Sequence, residues 1–163
     1  TSPGEPLVDS RRFIDTAPKS RNETLAALMR RLGICEERGS GIDKVVSLVE
    51  AYQLPAPLFE APAGFTRAVL FSQRDFRYMD KADRIRACYL HACLRYVVRE
   101  PMTNKSVRER FGVAEENASM ISRLLNDAVA ADVIAVADPD AGTRARSYLP
   151  FWAAPERLAS QDG

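Results

Sequence analysis

The residues whose type and spacing point most directly to ligand chemistry in this 163-residue chain are Gly39, Ser40 and Gly41. Glycine tolerates positive φ and lets a polar ligand approach the main chain. From Ile42 onward, Ile42, Val45, Val46, Val49 and Tyr52 recur on one face of an α-helix. The free amides and positive dipole end of such a helix suit a phosphate. A plain turn joining two helices would carry the same letters, so that reading stays open. A second set is Lys105, Arg108, Ser119, Arg123, Arg144 and Arg146, whose ammonium, guanidinium and hydroxyl groups can bond phosphates and base edges.

Other chemistries have little support. The sequence holds no P-loop, no nucleophile elbow and one histidine, His91, so no catalytic residue is nominated. His91 reads as a helix-surface or core-edge residue. Cys35, Cys88 and Cys93 form no C-x-x-C pair, which argues against structural zinc, and no metal ligands are assigned. Cys88 and Cys93 read as buried helix residues. An apolar share of 46% supports a core and 28% charged residues support solubility. No membrane-spanning run or signal peptide is evident, so a cytoplasmic setting is expected.

The elements that would position these groups can be read in order. Ser20-x-x-Glu23 reads as a capping box, and Leu25, Leu28, Met29 and Leu32 form a helical stripe that stops at Gly33. After the Gly-x-Gly helix, Leu54 to Gly64 is too proline-rich for a helix. A strand is expected over 65–71, with Phe65, Val69 and Phe71 on one face. A long helix over 81–99 shows Ile85, Cys88, Tyr89, Ala92, Cys93 and Tyr96 on one side and is stopped by Pro101. Thr103 and Asn104 offer caps for a short helix that Gly112 ends. A third helix over about 114–130 turns Ala118, Ile121, Leu125 and Ala128 inward, leaving Glu116, Ser119, Met120 and Arg123 outside. Val133 to Val136 and Thr143 to Leu149 then read as a hairpin.

Three helices and a hairpin are the order of a winged helix-turn-helix. In that fold the third helix enters the major groove and the wing touches adjacent DNA. Ser119 and Arg123 would then face the groove, Lys105 and Arg108 the backbone, and Arg144 and Arg146 would share a face of the wing. Charge argues the other way. Residues 81–152 carry 11 Lys and Arg against 9 Asp and Glu, a net of only +2, and Glu115 and Glu116 precede the third helix. A protein-interaction or dimerisation module without DNA contact is therefore the competing reading.

Arg21-Asn22, Leu32-Gly33 and Glu37-Arg38-Gly39-Ser40-Gly41-Ile42 together resemble the C-terminal half of a divergent histidine-kinase-like ATPase module. That module occurs in RecG-related transcriptional regulators, which usually also carry an AlbA-like or Schlafen-like N-terminal domain. Ser2-Pro3-Gly4 with Pro6-Leu7 resembles the family's Asn-Pro-Gly-Gly-Leu-Pro turn, with Ser2 and Glu5 as departures. Tyr148-Leu149-Pro150-x-Trp152 is similar to the closing Tyr-x-Pro-x-Trp of its winged-helix region. The family's Asn-Ala-x-x-His-Arg-Asp-Tyr helix, which matches the magnesium-holding helix of related ATPases, has no counterpart here. That departure, with a start at Thr1, implies part of a longer protein.

The expectation is an α+β chain: a partial ATPase-like α/β segment over 1–73, a linker over 74–81, a winged helix-turn-helix domain over 82–152 and a tail over 153–163. The resemblance implies a bacterial-type transcriptional regulator that binds double-stranded DNA through the winged helix and leaves room for a homodimer. Arg21, Asn22, Gly39, Ser40 and Gly41 would serve nucleotide binding in the intact protein, where ATP is the implied cofactor; none is expected for this segment alone. A third reading is an ATP-binding module of a RecG-related, helicase-like protein.

Overall fold

The computed structural model describes residues 1–35, 41–142 and 145–154. Gly39, Ser40 and Arg144 lie outside the described residues. The elements in chain order are β1 (Ser2–Pro3), α1 (Glu23–Arg31), α2 (Gly41–Ala51), β2 (Leu58–Glu60), β3 (Phe65–Val69), α3 (Lys81–Val97), α4 (Asn104–Phe111), α5 (Ala118–Ala130), β4 (Ile134–Val136) and β5 (Tyr148–Pro150).

The first part is built on a small antiparallel sheet ordered β1-β3-β2, with Ser2 opposite Thr66 and Phe59 opposite Ala68. Gly4 and Gly64 both take left-handed backbone there, and the Gly4 N–H reaches the Gly64 carbonyl at 2.8 Å. Val69 and Phe71 are half-buried on the expected face, and the departure is at Phe65. Phe65 is half exposed, while Thr66 turns inward and bonds the Gly4 carbonyl at 2.9 Å.

The helix at 23–31 also departs from the simple reading. Asn22 caps it, accepting from the Leu25 N–H at 2.9 Å, so Ser20 is not the cap. Its end is as expected: Gly33 has φ +70°, with Gly33 N–H to Arg30 and Ile34 N–H to Met29, the paired bonds of a Schellman turn. The leucine stripe faces outward, however, and none of α1's residues is buried. In α2, Val46 and Val49 are buried as the period requires, whereas Tyr52 lies beyond the last turn, exposed, next to a left-handed Gln53.

The long helix α3 is buried on nearly all sides. Ala87, Leu90 and His91 are covered as well as Cys88, Tyr89, Ala92 and Cys93, because the 1–70 segment packs across the face opposite α5 and β5. Arg99, with φ +59°, ends it through Arg99 N–H to Tyr96 and Glu100 N–H to Arg95, two residues ahead of the expected stop at Pro101. Thr103 and Ser106 form a reciprocal capping box on α4, and Gly112, with φ +63°, closes it. A short 3-10 turn over Glu115–Asn117 replaces the expected first turn of α5. The hairpin pairs Ile134 with Pro150 and Val136 with Tyr148, so its second strand is shorter than 143–149.

One hydrophobic cluster runs through both parts. It joins Ile14, Val46 and Ala56 to Cys88, Cys93, Val107, Ile121, Leu125, Ile134 and Trp152. The stretch 74–81, expected as a linker, adds Phe76 and Met79 to that cluster. Full burial of each large side chain contributes roughly 1.5–3 kcal/mol.

Candidate functional site

The outer face of α5 is set by its inner one. Ile121, Leu124, Leu125 and Ala128 are buried, which leaves Ser119, Met120 and Arg123 exposed. The Asn104 amide fixes α4 against this helix, donating to the Ala118 carbonyl at 3.1 Å and the Ser122 hydroxyl at 3.0 Å. Arg108 is half-buried and donates from Nε to Asn104 Oδ1 at 3.2 Å, so it orients that amide. Lys105 is exposed, with Glu109 at 3.9 Å. Arg146 precedes β5 rather than lying on it, is half-buried, and has its Nε enclosed without a hydrogen-bond partner among the described residues. Glu115 and Glu116 are exposed in front of α5. Ser119, Arg123 and Lys105 are thus presented to solvent, and Arg108 and Arg146 are partly withdrawn.

At the other end, Gly41 opens α2 and does not use left-handed backbone, contrary to expectation. Among the described residues, a Cβ placed there would meet no atom within 4 Å. Arg21 is occupied locally. Its guanidinium donates to the Glu5 carbonyl and packs where a Cβ on Gly4 would come within 3.0 Å of Nη1. Asn22 serves as the α1 cap. Among the described residues no hydrogen bond links either one to Gly41. The first turn contains a residue that sequence reading passed over, Asp43. Burial pushes its carboxyl above the usual carboxylate range, and its Oδ1 is enclosed without a partner among the described residues. Its position two residues after Gly41 was the available signal.

A buried polar junction was also missed. Glu50 of α2 places Oε2 2.9 Å from His91 Nδ1 and Oε1 3.5 Å from Arg110 Nε. His91 Nε2 lies 3.1 Å from the Ser106 hydroxyl, and Arg110 donates to the Leu54 carbonyl at 2.6 Å. The order Ser, His, Glu has the connectivity of a hydrolytic triad, but Ser106 is only 6% exposed and its hydroxyl is already bonded to both the N–H and the carbonyl of Thr103. No substrate reaches it, so the arrangement is structural. His91, 5% exposed, belongs to the interior rather than the surface. Burial pushes the Cys88 and Cys93 thiols up to about 12, which keeps them protonated and inert.

Among the described residues, no group of three or more His, Cys, Asp or Glu side chains could hold a metal ion. No described helix is long and apolar enough to cross a membrane.

Comparison with curated proteins gave no match. Among solved structures, the DIP2311 protein from Corynebacterium diphtheriae is similar at 12% identity over 90% of this chain, with a TM-score of 0.31. This chain spans 42% of that protein's length. Residues 1–70 match the family model described as "Putative ATP-dependent DNA helicase recG C-terminal". The segment that carries β1, α1, α2, β2 and β3 is therefore the part of the chain that is similar to this RecG-related, ATPase-like family.

Proposed function

We propose that this chain is the nucleotide-responsive, ATPase-like part of a RecG-related protein, in which the start of α2 receives a phosphate of ATP. The family match over residues 1–70 carries this reading. The geometry fits it: among the described residues nothing crowds Gly41 at the start of an eleven-residue helix, and main-chain N–H groups at such an end bond phosphate oxygens. Arg21 and Asn22 act one step back, fixing the Gly4 turn and the start of α1. The test is calorimetric titration of ATP into this chain and into a longer chain that places an Asn-Ala-x-x-His-Arg-Asp-Tyr helix ahead of Thr1. The longer chain should bind, and Gly41→Trp should abolish binding. No binding by the longer chain overturns the reading.

A second reading, a winged helix that binds duplex DNA as a transcriptional regulator does, rests on the exposed Ser119 and Arg123 of α5. Duplex binding measured at two salt concentrations tests it. Arg123→Ala should weaken affinity and lower the salt slope by roughly 0.9. Absence of wild-type binding at low salt leaves the helical unit as a protein-interaction module.

A further inference from the structure

A cleft of about 710 Å³ lies where the 1–70 segment, the end of α3 and the second hairpin strand meet. It is independent of the nucleotide and DNA readings. Three aromatic rings line it: Tyr96, which is 40% exposed at the rim, and Tyr148 and Trp152, which are nearly buried in the floor. Tyr96 meets Trp152 edge to face, with centroids 5.0 Å apart at 82°. Arg12 already lies over the Trp152 ring at 5.0 Å and Tyr148 is covered, so the Tyr96 ring at the rim is the stacking surface for a flat apolar ligand.

The charges around it decide the ligand's sign. Asp15 and Glu100 both line the cleft, yet each already has a cation: Arg12 is 2.5 Å from Asp15 and Arg95 is 2.6 Å from Glu100. Arg99 also lines the cleft and, among the described residues, has no ion-pair or hydrogen-bonded side-chain partner. The uncompensated charge of the site is therefore positive. Arg99 also stands at the left-handed closing position of α3, where glycine is the common choice, with its N–H on the Tyr96 carbonyl at 3.0 Å. That turn holds the guanidinium and the Tyr96 ring on one rim.

We propose that this cleft binds a planar aromatic carboxylate, with its ring against Tyr96 and above the floor formed by Tyr148 and Trp152, and its carboxylate paired with Arg99. An Arg guanidinium matches a carboxylate through two parallel N–H bonds, a match that a neutral amide cannot reproduce. The site would serve as an effector position, because the ligand would touch Asp15 of the first segment and Tyr148 of the hairpin together.

Trp152 is the one tryptophan in the sequence, so its indole N–H gives a single resonance that reports on the floor of the cleft without assignment by mutation. Titration of 2-naphthoate should move that resonance saturably. The isosteric 2-naphthamide should bind about tenfold more weakly or worse. Arg99→Gln should reduce 2-naphthoate affinity about tenfold while leaving 2-naphthamide unchanged, and Tyr96→Ala should weaken both. A folded wild type whose indole resonance does not respond overturns the proposal. So do equal affinities for the acid and the amide, or an Arg99→Gln variant that binds the acid as wild type does.

Discussion

Glu50 Oε2 lies 2.9 Å from His91 Nδ1, a contact that joins α2 to α3 across 41 residues of sequence. The same carboxylate is the nearest anion to Arg110, whose side chain is 1% exposed. Removing one partner of such a buried group leaves the other charge without compensation. Glu50→Ala should therefore lower unfolding free energy by about 3–5 kcal/mol in urea titration. A loss under about 1 kcal/mol would show that water reaches Arg110.

Asp43 gives a pH-dependent expectation. Its carboxyl is pushed up by burial, so the folded chain holds the proton more tightly than the unfolded chain. Its contribution is then most favourable below the unfolded pKa and is lost as pH rises through the folded one. Asp43→Asn should be more stable than wild type at pH 7, with the advantage vanishing near pH 3. Thermal melts across that range check the sign.

The thiols separate by access. Cys35 is exposed, whereas Cys88 and Cys93 are buried with thiols raised to about 12. An aromatic disulfide reagent at neutral pH should label one thiol in the native protein and all three in urea. Rapid labelling of a second thiol under native conditions would mean that α3 opens locally.

The Asn104 amide ties the start of α4 to the start of α5. Asn104→Ala should cost about 1–2 kcal/mol by leaving the Arg108 Nε and the Ser122 hydroxyl short of a partner. Hydrogen exchange should rise mainly in the first turns of α4 and α5.

Features that depend on neighbours in sequence were readable from the letters. Gly33 and Gly112 stop their helices, Thr103 caps α4, and the inner and outer faces of α5 follow from its period. Features that depend on distant partners were not. His91 looks like a surface residue until Glu50 and Ser106 are placed on either side of it. Phe65 is exposed at the end of β3 where β1 supplies only two residues of cover, and Arg146 falls short of its strand because the ladder begins at Tyr148. β2, three residues set among prolines, offers no alternation to detect. At the glycine loop only Gly41 lies among the described residues, and Arg21 and Asn22 are committed to local structure.

The shared core has a consequence for anyone who would treat the two parts as interchangeable modules. The family boundary at residue 70 is not a place to cut. A chain starting beyond it would lose the Leu54 carbonyl and the Glu50 carboxylate that accompany Arg110, along with Val46 and Ala56 from the common cluster. A chimera that grafts the helical unit onto another sensor would have to carry α2 and the 54–57 proline stretch as part of the graft.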